Sequence, residues 1–93
     1  MNNDNLRWIN KIESYNKNLD LLQDEIIKNN DSAFAYFFSY EYNYKQHLMQ
    51  KIILDNKDVK YSYLFALNIK NCDINALQKI VIDSNKINYI CIM

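Results

Sequence analysis

His47 is the only histidine in the chain, and Cys72 and Cys91 are its only cysteines. A nucleophilic or metal-bound site would need further donors converging on one of them from elsewhere in the fold. Glu41 and Cys72 could be enlisted around His47, but no sequence spacing brings them together. The two cysteines stand in dissimilar contexts and form neither a C-x-x-C pair nor a disulfide framework. Asp24 and Glu25 are adjacent in sequence, and on a helix adjacent residues point to different faces, so they do not make a general acid–base pair. Glycine is absent altogether, which removes any Gly-rich phosphate loop, and no two-His or Asp-x-Asp arrangement is present. Neither enzyme chemistry nor a cofactor or bound metal is expected, and His47 by itself reads as an ordinary helix histidine.

The elements that must carry any binding surface are legible from composition. Ninety-three residues suit one domain with a modest core. Basic and acidic residues balance at 11 each, so no long-range field steers the molecule toward nucleic acid or anionic lipid. With both Gly and Pro missing, tight hairpins are poorly supplied, and the expectation is helices joined by Asn- and Asp-based caps.

Aromatic residues then recur at a fixed interval. Phe34-x-Tyr36-x-Phe38 is followed by Tyr61-x-Tyr63-x-Phe65 and by Tyr89, with spacings of 27 and 28 residues. A period of this size marks stacked supersecondary units. A second phrase runs between the aromatics: Leu22 with Ile26-Ile27, Leu48 with Ile52-Ile53, and Leu77 with Val81-Ile82. Its four-residue spacing is helical, and each instance precedes a polar stretch able to stop one helix and start another. The reading is an all-α chain of imperfect helix-pair repeats, a short α-solenoid. Helices are expected over 4–16, 19–29, 32–42, 44–55, 59–70 and 74–84, with a stub from 87. Asn18, Asp31, Asn43, Asp58 and Asp73 are placed as N-caps, and Asn71 as a left-handed helix stop. The organisation is a divergent helix pair over 1–30, repeats over 31–57 and 58–86, and a partial repeat over 87–93.

Tyr61, Tyr63, Leu64, Phe65 and Ala66, followed by Asp73, Ile74, Ala76 and Leu77, resemble a family of helical repeats from phages, giant viruses and some bacteria. Its unit reads Tyr-x-Tyr-Leu-Phe-Ala, a Gly-Ala-Asp-Ile step and Ala-Leu-Glu. The resemblance is close over 59–86, looser over 31–57 and thin before residue 30, and Asn71-Cys72 replaces the usual Gly-Ala. It implies a scaffold and carries no catalytic motif.

The most unusual local feature is "FAYFFSYEYNYKQH". Tyr36, Tyr40 and Tyr44 fall at i, i+4 and i+8, which would form one stripe on a continuous helix, with Tyr42 beside it. Tyrosine offers large, stiff contact area with a polar tip. Tyr36 matches the repeat's Tyr63 and is expected in the core. Tyr40, Tyr42 and Tyr44, with Lys45 and His47, are the expected partner-binding surface. Lys45, Lys51, Lys57 and Lys60 lie nearby but are interleaved with Asp55 and Asp58, a pattern typical of a solvated face. Ile87, Tyr89, Ile90, Ile92 and Met93 are apolar on nearly every side of a helix, so the segment is expected either to fold back on the last helix pair or to pack on a second copy, and the homodimer is the favoured expectation.

Function follows from these readings as an expectation: a non-catalytic module that binds a protein. The richness in Asn, Lys and Ile matches the bias of AT-rich genomes, many phage genomes among them, and the most concrete form is a phage-encoded inhibitor that occludes a host defence machine, of the anti-CRISPR type. Two alternatives are RNA or single-stranded DNA binding through Tyr and Lys side chains, and a self-assembling fragment of a longer repeat array. No signal-peptide pattern and no membrane-length apolar run occurs, so a cytoplasmic location without membrane contact is expected.

Overall fold

A computed structural model describes residues 3–15, 18–44 and 46–84. The described chain is all-α: α1 (Asn3–Ser14), α2 (Leu19–Asn29), α3 (Ser32–Tyr42), α4 (Gln46–Asn56), α5 (Val59–Asn68) and α6 (Ile74–Ser84). The expected N-caps account for most helix starts. Asn18, Asp31, Asp58 and Asp73 each accept a hydrogen bond from a backbone N–H three residues on, at 2.9 to 3.1 Å. Replacing such a cap with Ala typically costs about 1 kcal/mol.

Asn43 differs. It sits at φ 52° and closes α3, its N–H donating to the Ser39 carbonyl. Asn serves both as an N-cap acceptor and in the left-handed region, and here the second role is taken. Asn30 at φ 54° and Asn71 at φ 61° share that conformation. Lys57, at φ 51°, adopts it as well, although its Cβ makes the conformation costlier. The helix expected to run to residue 70 stops at Asn68, where Ile69 turns extended and its N–H donates to Phe65.

Within the chain, α3 pairs with α4 and α5 with α6. The odd-numbered helices also form a row, with α1 on α3 and α3 on α5, and the even-numbered ones a second row, with α2 on α4 and α4 on α6. Four of the polar ties that cross from unit to unit share one spacing. Arg7 to Asp31, Tyr44 to Asp20, Asn56 to Ser32 and Gln46 to Lys70 each join residues 24 apart. This packing is consistent with helix-pair units laid one upon the next.

The core corrects the register of the second sequence phrase. Leu22, Met49 and Leu77 are fully buried, as are Ile26, Ile53 and Val81, and both sets follow the 27- and 28-residue spacings of the aromatics. Leu48, taken as the repeat leucine, is only half-buried, one position off the core face. A purely apolar reading of "HLMQKIIL" could not distinguish leucine from the flexible, core-filling methionine beside it. Aromatic rings then knit the odd row. Trp8 lies 5.4 Å from Phe34 and meets Phe38 edge-on at 6.4 Å, and Tyr61 stands 5.7 Å from Tyr36.

Candidate partner-binding surface

The backbone reversal at Asn43 determines what becomes of the tyrosine stripe. Because α3 ends at Tyr42, Tyr44 leaves the helical line of Tyr36 and Tyr40, and the three do not form one face. Tyr36 is buried and its hydroxyl accepts from Asn68 Nδ2 at 2.9 Å. Tyr44 is half-buried, its ring edge-on to Phe38 at 6.0 Å and its hydroxyl donating to Asp20 of α2. That hydrogen bond to a carboxylate raises the Tyr44 pKa, with burial adding to the effect. Tyr42 is half-buried, 5.6 Å from Phe38, and burial is the first cause pushing its pKa up, with the Glu41 charge second.

Tyr40 alone of these keeps most of its surface in solvent, at 64% exposure, leaning on Tyr36 at 5.9 Å. His47 is exposed on the first turn of α4. Lys45 lies outside the described residues, as do Ile87, Tyr89, Ile90, Ile92 and Met93.

Tyr40 forms a ridge between two recesses. On one side α1 and α3 diverge to leave a cleft of about 400 Å³. Asn5, Trp8 and Ile9 line it at the i, i+3, i+4 spacing of one helix face, and Tyr36, Phe37, Tyr40 and Glu41 face them from α3. Trp8 is 4% exposed and forms the base with Phe37, 6.0 Å ring to ring, while Ile9 at the rim is half in solvent. The Trp8 indole Nε1 is buried and has no hydrogen-bond partner among the described residues. On the other side lies a smaller recess of about 270 Å³ bounded by Asn43, Asn68 and Lys70. An apolar base with a few polar groups at its edge is the usual composition of a recognition site.

The α1 wall is absent from the expected partner-binding surface, which comprises Tyr40, Tyr42, Tyr44, Lys45 and His47. The signal was present in the single tryptophan and its i, i+4 partner Ile12, both of which are buried. Other candidates for chemistry stay apart. Among the described residues no three His, Cys, Asp or Glu side chains gather in a metal-binding group, Glu41, His47 and Cys72 included. Cys72 is half-buried, and burial pushes its thiol pKa up. No helix among the described residues is long and apolar enough to cross a membrane.

Comparison with known proteins finds no family model, no curated protein and no solved structure that matches this chain.

Proposed function

We propose that the chain is a non-catalytic helical module that binds a protein partner through the odd-helix face, with Tyr40 and the α1–α3 cleft as the contact surface. The observation that carries this reading is an exposed tyrosine standing over an aromatic-based cleft, on helices anchored by a packed core. Tyrosine and tryptophan at the centre of a rigid patch are the typical anchors of protein interfaces. An inhibitor of a host defence machine, phage-encoded and of the anti-CRISPR type, is the narrowest form of the proposal and rests on sequence character alone.

The test is capture from a lysate of the native host with tagged wild type and Tyr40→Ala, with and without nuclease. A stoichiometric protein partner that survives nuclease and is lost at least about tenfold in Tyr40→Ala is the expected result, since interface anchors typically carry about 2 kcal/mol or more. Retention of the partner by Tyr40→Ala moves the interface elsewhere.

RNA or single-stranded DNA binding is the alternative, and steeply salt-dependent affinity would favour it. Two of its cations are already engaged within the chain: Lys51 pairs with Asp55 at 2.7 Å and Lys60 lies 5.2 Å over the Tyr61 ring. Self-association through Ile87, Tyr89, Ile90, Ile92 and Met93 remains a further proposal, supported by the exposed Leu67, Ile74 and Ile82 on the adjoining helix pair. A strictly monomeric mass at tens of micromolar would refute it.

A further inference from the structure

We infer that the cleft between α1 and α3 receives an arginine side chain of the protein partner, its guanidinium lying against the Tyr40 ring and paired with Glu41. The inference rests on the protein-binding reading and adds the chemistry of the contact. Of the groups that line the cleft, one is charged, the Glu41 carboxylate, and none is a cation. Trp8, Ile9 and Phe37 supply the apolar surface on which the methylene stem of a long basic side chain can lie while its charged head stays near solvent. Tyr40, two-thirds exposed, lines the same cleft as that carboxylate, which also interacts with the Tyr42 hydroxyl.

The same α1–α3 pair already contains this combination filled by one of its own residues. Arg7 lies 4.8 Å over the Phe34 ring and pairs with Asp4 at 2.9 Å and Asp31 at 3.2 Å. That site joins an aromatic ring, a carboxylate and a guanidinium, and the cleft has the first two. Arginine fits better than lysine because its flat guanidinium stacks on a ring and pairs with a carboxylate through two parallel bonds, and it is more weakly hydrated.

The test is an NMR titration of the full ¹⁵N-labelled chain with the capped tripeptide Ala-Arg-Ala and its citrulline analogue, which keeps the shape and loses the charge. The Trp8 indole N–H, in the base of the cleft, and the Tyr40 and Glu41 amides are the reporters. The arginine peptide should shift all three saturably, with the citrulline peptide weaker by roughly two- to fivefold, the size expected of exposed charge pairing. Glu41→Gln should bring the arginine peptide down to the citrulline level without changing the thermal midpoint. Equal affinity for the two peptides, or no shift at these reporters with arginine, overturns the inference. Either result leaves the capture experiment with Tyr40→Ala to decide separately whether a protein binds this face.

Discussion

The α3–α4 and α5–α6 pairs are written in the same phrase and share the same inner positions. Phe34 and Tyr61, Phe38 and Phe65, Met49 and Leu77, and Ile53 and Val81 are buried in both. Their flanks differ. Ser32, Ala33, Tyr36 and Ile52 are buried in the central pair, whereas the corresponding Val59, Tyr63 and Ile80 are half-buried and Lys60 is exposed. The central pair has α1 and α5 on either side of α3, and the packing of those neighbours covers its flanks. A repeat phrase therefore fixes which residues point inward, and the next unit along decides what happens to the sides.

Truncating the matched phenylalanines tests this difference most strongly. Phe38 touches the rings of Trp8, Tyr42 and Tyr44, so Phe38→Ala should cost about 4 to 5 kcal/mol and Phe65→Ala about 3 kcal/mol, both read by urea unfolding. Equal losses would show that the two pairs are energetically alike despite their flanks.

Removing the polar link between the units should come next. Asn56 Nδ2 donates to the Asn30 carbonyl and to Ser32 Oγ, and its Oδ1 accepts from Asn30 Nδ2. Asn56→Ala should cost about 2 kcal/mol, since three bonds go but the groups are largely solvated. A loss well under that would mean water replaces them fully.

A smaller effect is expected from acid. The Asp4 carboxyl is held below the ordinary carboxylate range first by the Tyr61 hydroxyl, which donates at 2.7 Å, and then by Arg7. Its folded pKa is depressed, so its contribution to stability is complete above about pH 4 and is lost as pH falls through the lowered value. Asp4 is partly exposed, and Asp4→Asn should cost only about 1 kcal/mol at pH 7 and flatten that part of the acid profile. An unchanged profile in Asp4→Asn would assign the acid sensitivity to other carboxylates.

The smallest effect has the opposite sign. Lys57 occupies the left-handed position that Asn30 fills one unit earlier. Lys57→Gly should stabilise by roughly 0.5 to 1 kcal/mol, measured as a rise in thermal midpoint. A fall would mean that the lysine stem contributes packing that glycine cannot replace.

Helix positions were legible because caps and four-residue apolar spacings are local signals, and Asp31, Asp58 and Asp73 act as they read. Asn43 was misread because one side chain suits both ends of a helix, and that single reversal is what separates Tyr44 from Tyr40. The contact surface was half legible. Tyr40 was singled out, but the wall opposite it comes from α1, outside the repeat phrase and brought there only by tertiary packing.

The bond between Tyr61 and Asp4 spans 57 residues, far more than the one-unit separation of the other ties. Closing it requires the fifth helix to be in place, so the first helix gains its last anchor only after two later units have formed. During synthesis α1 can settle on α3 once that helix has emerged, but its tie to α5 closes only later. In the finished protein its amide protons should exchange with the fifth helix, as part of one cooperative opening.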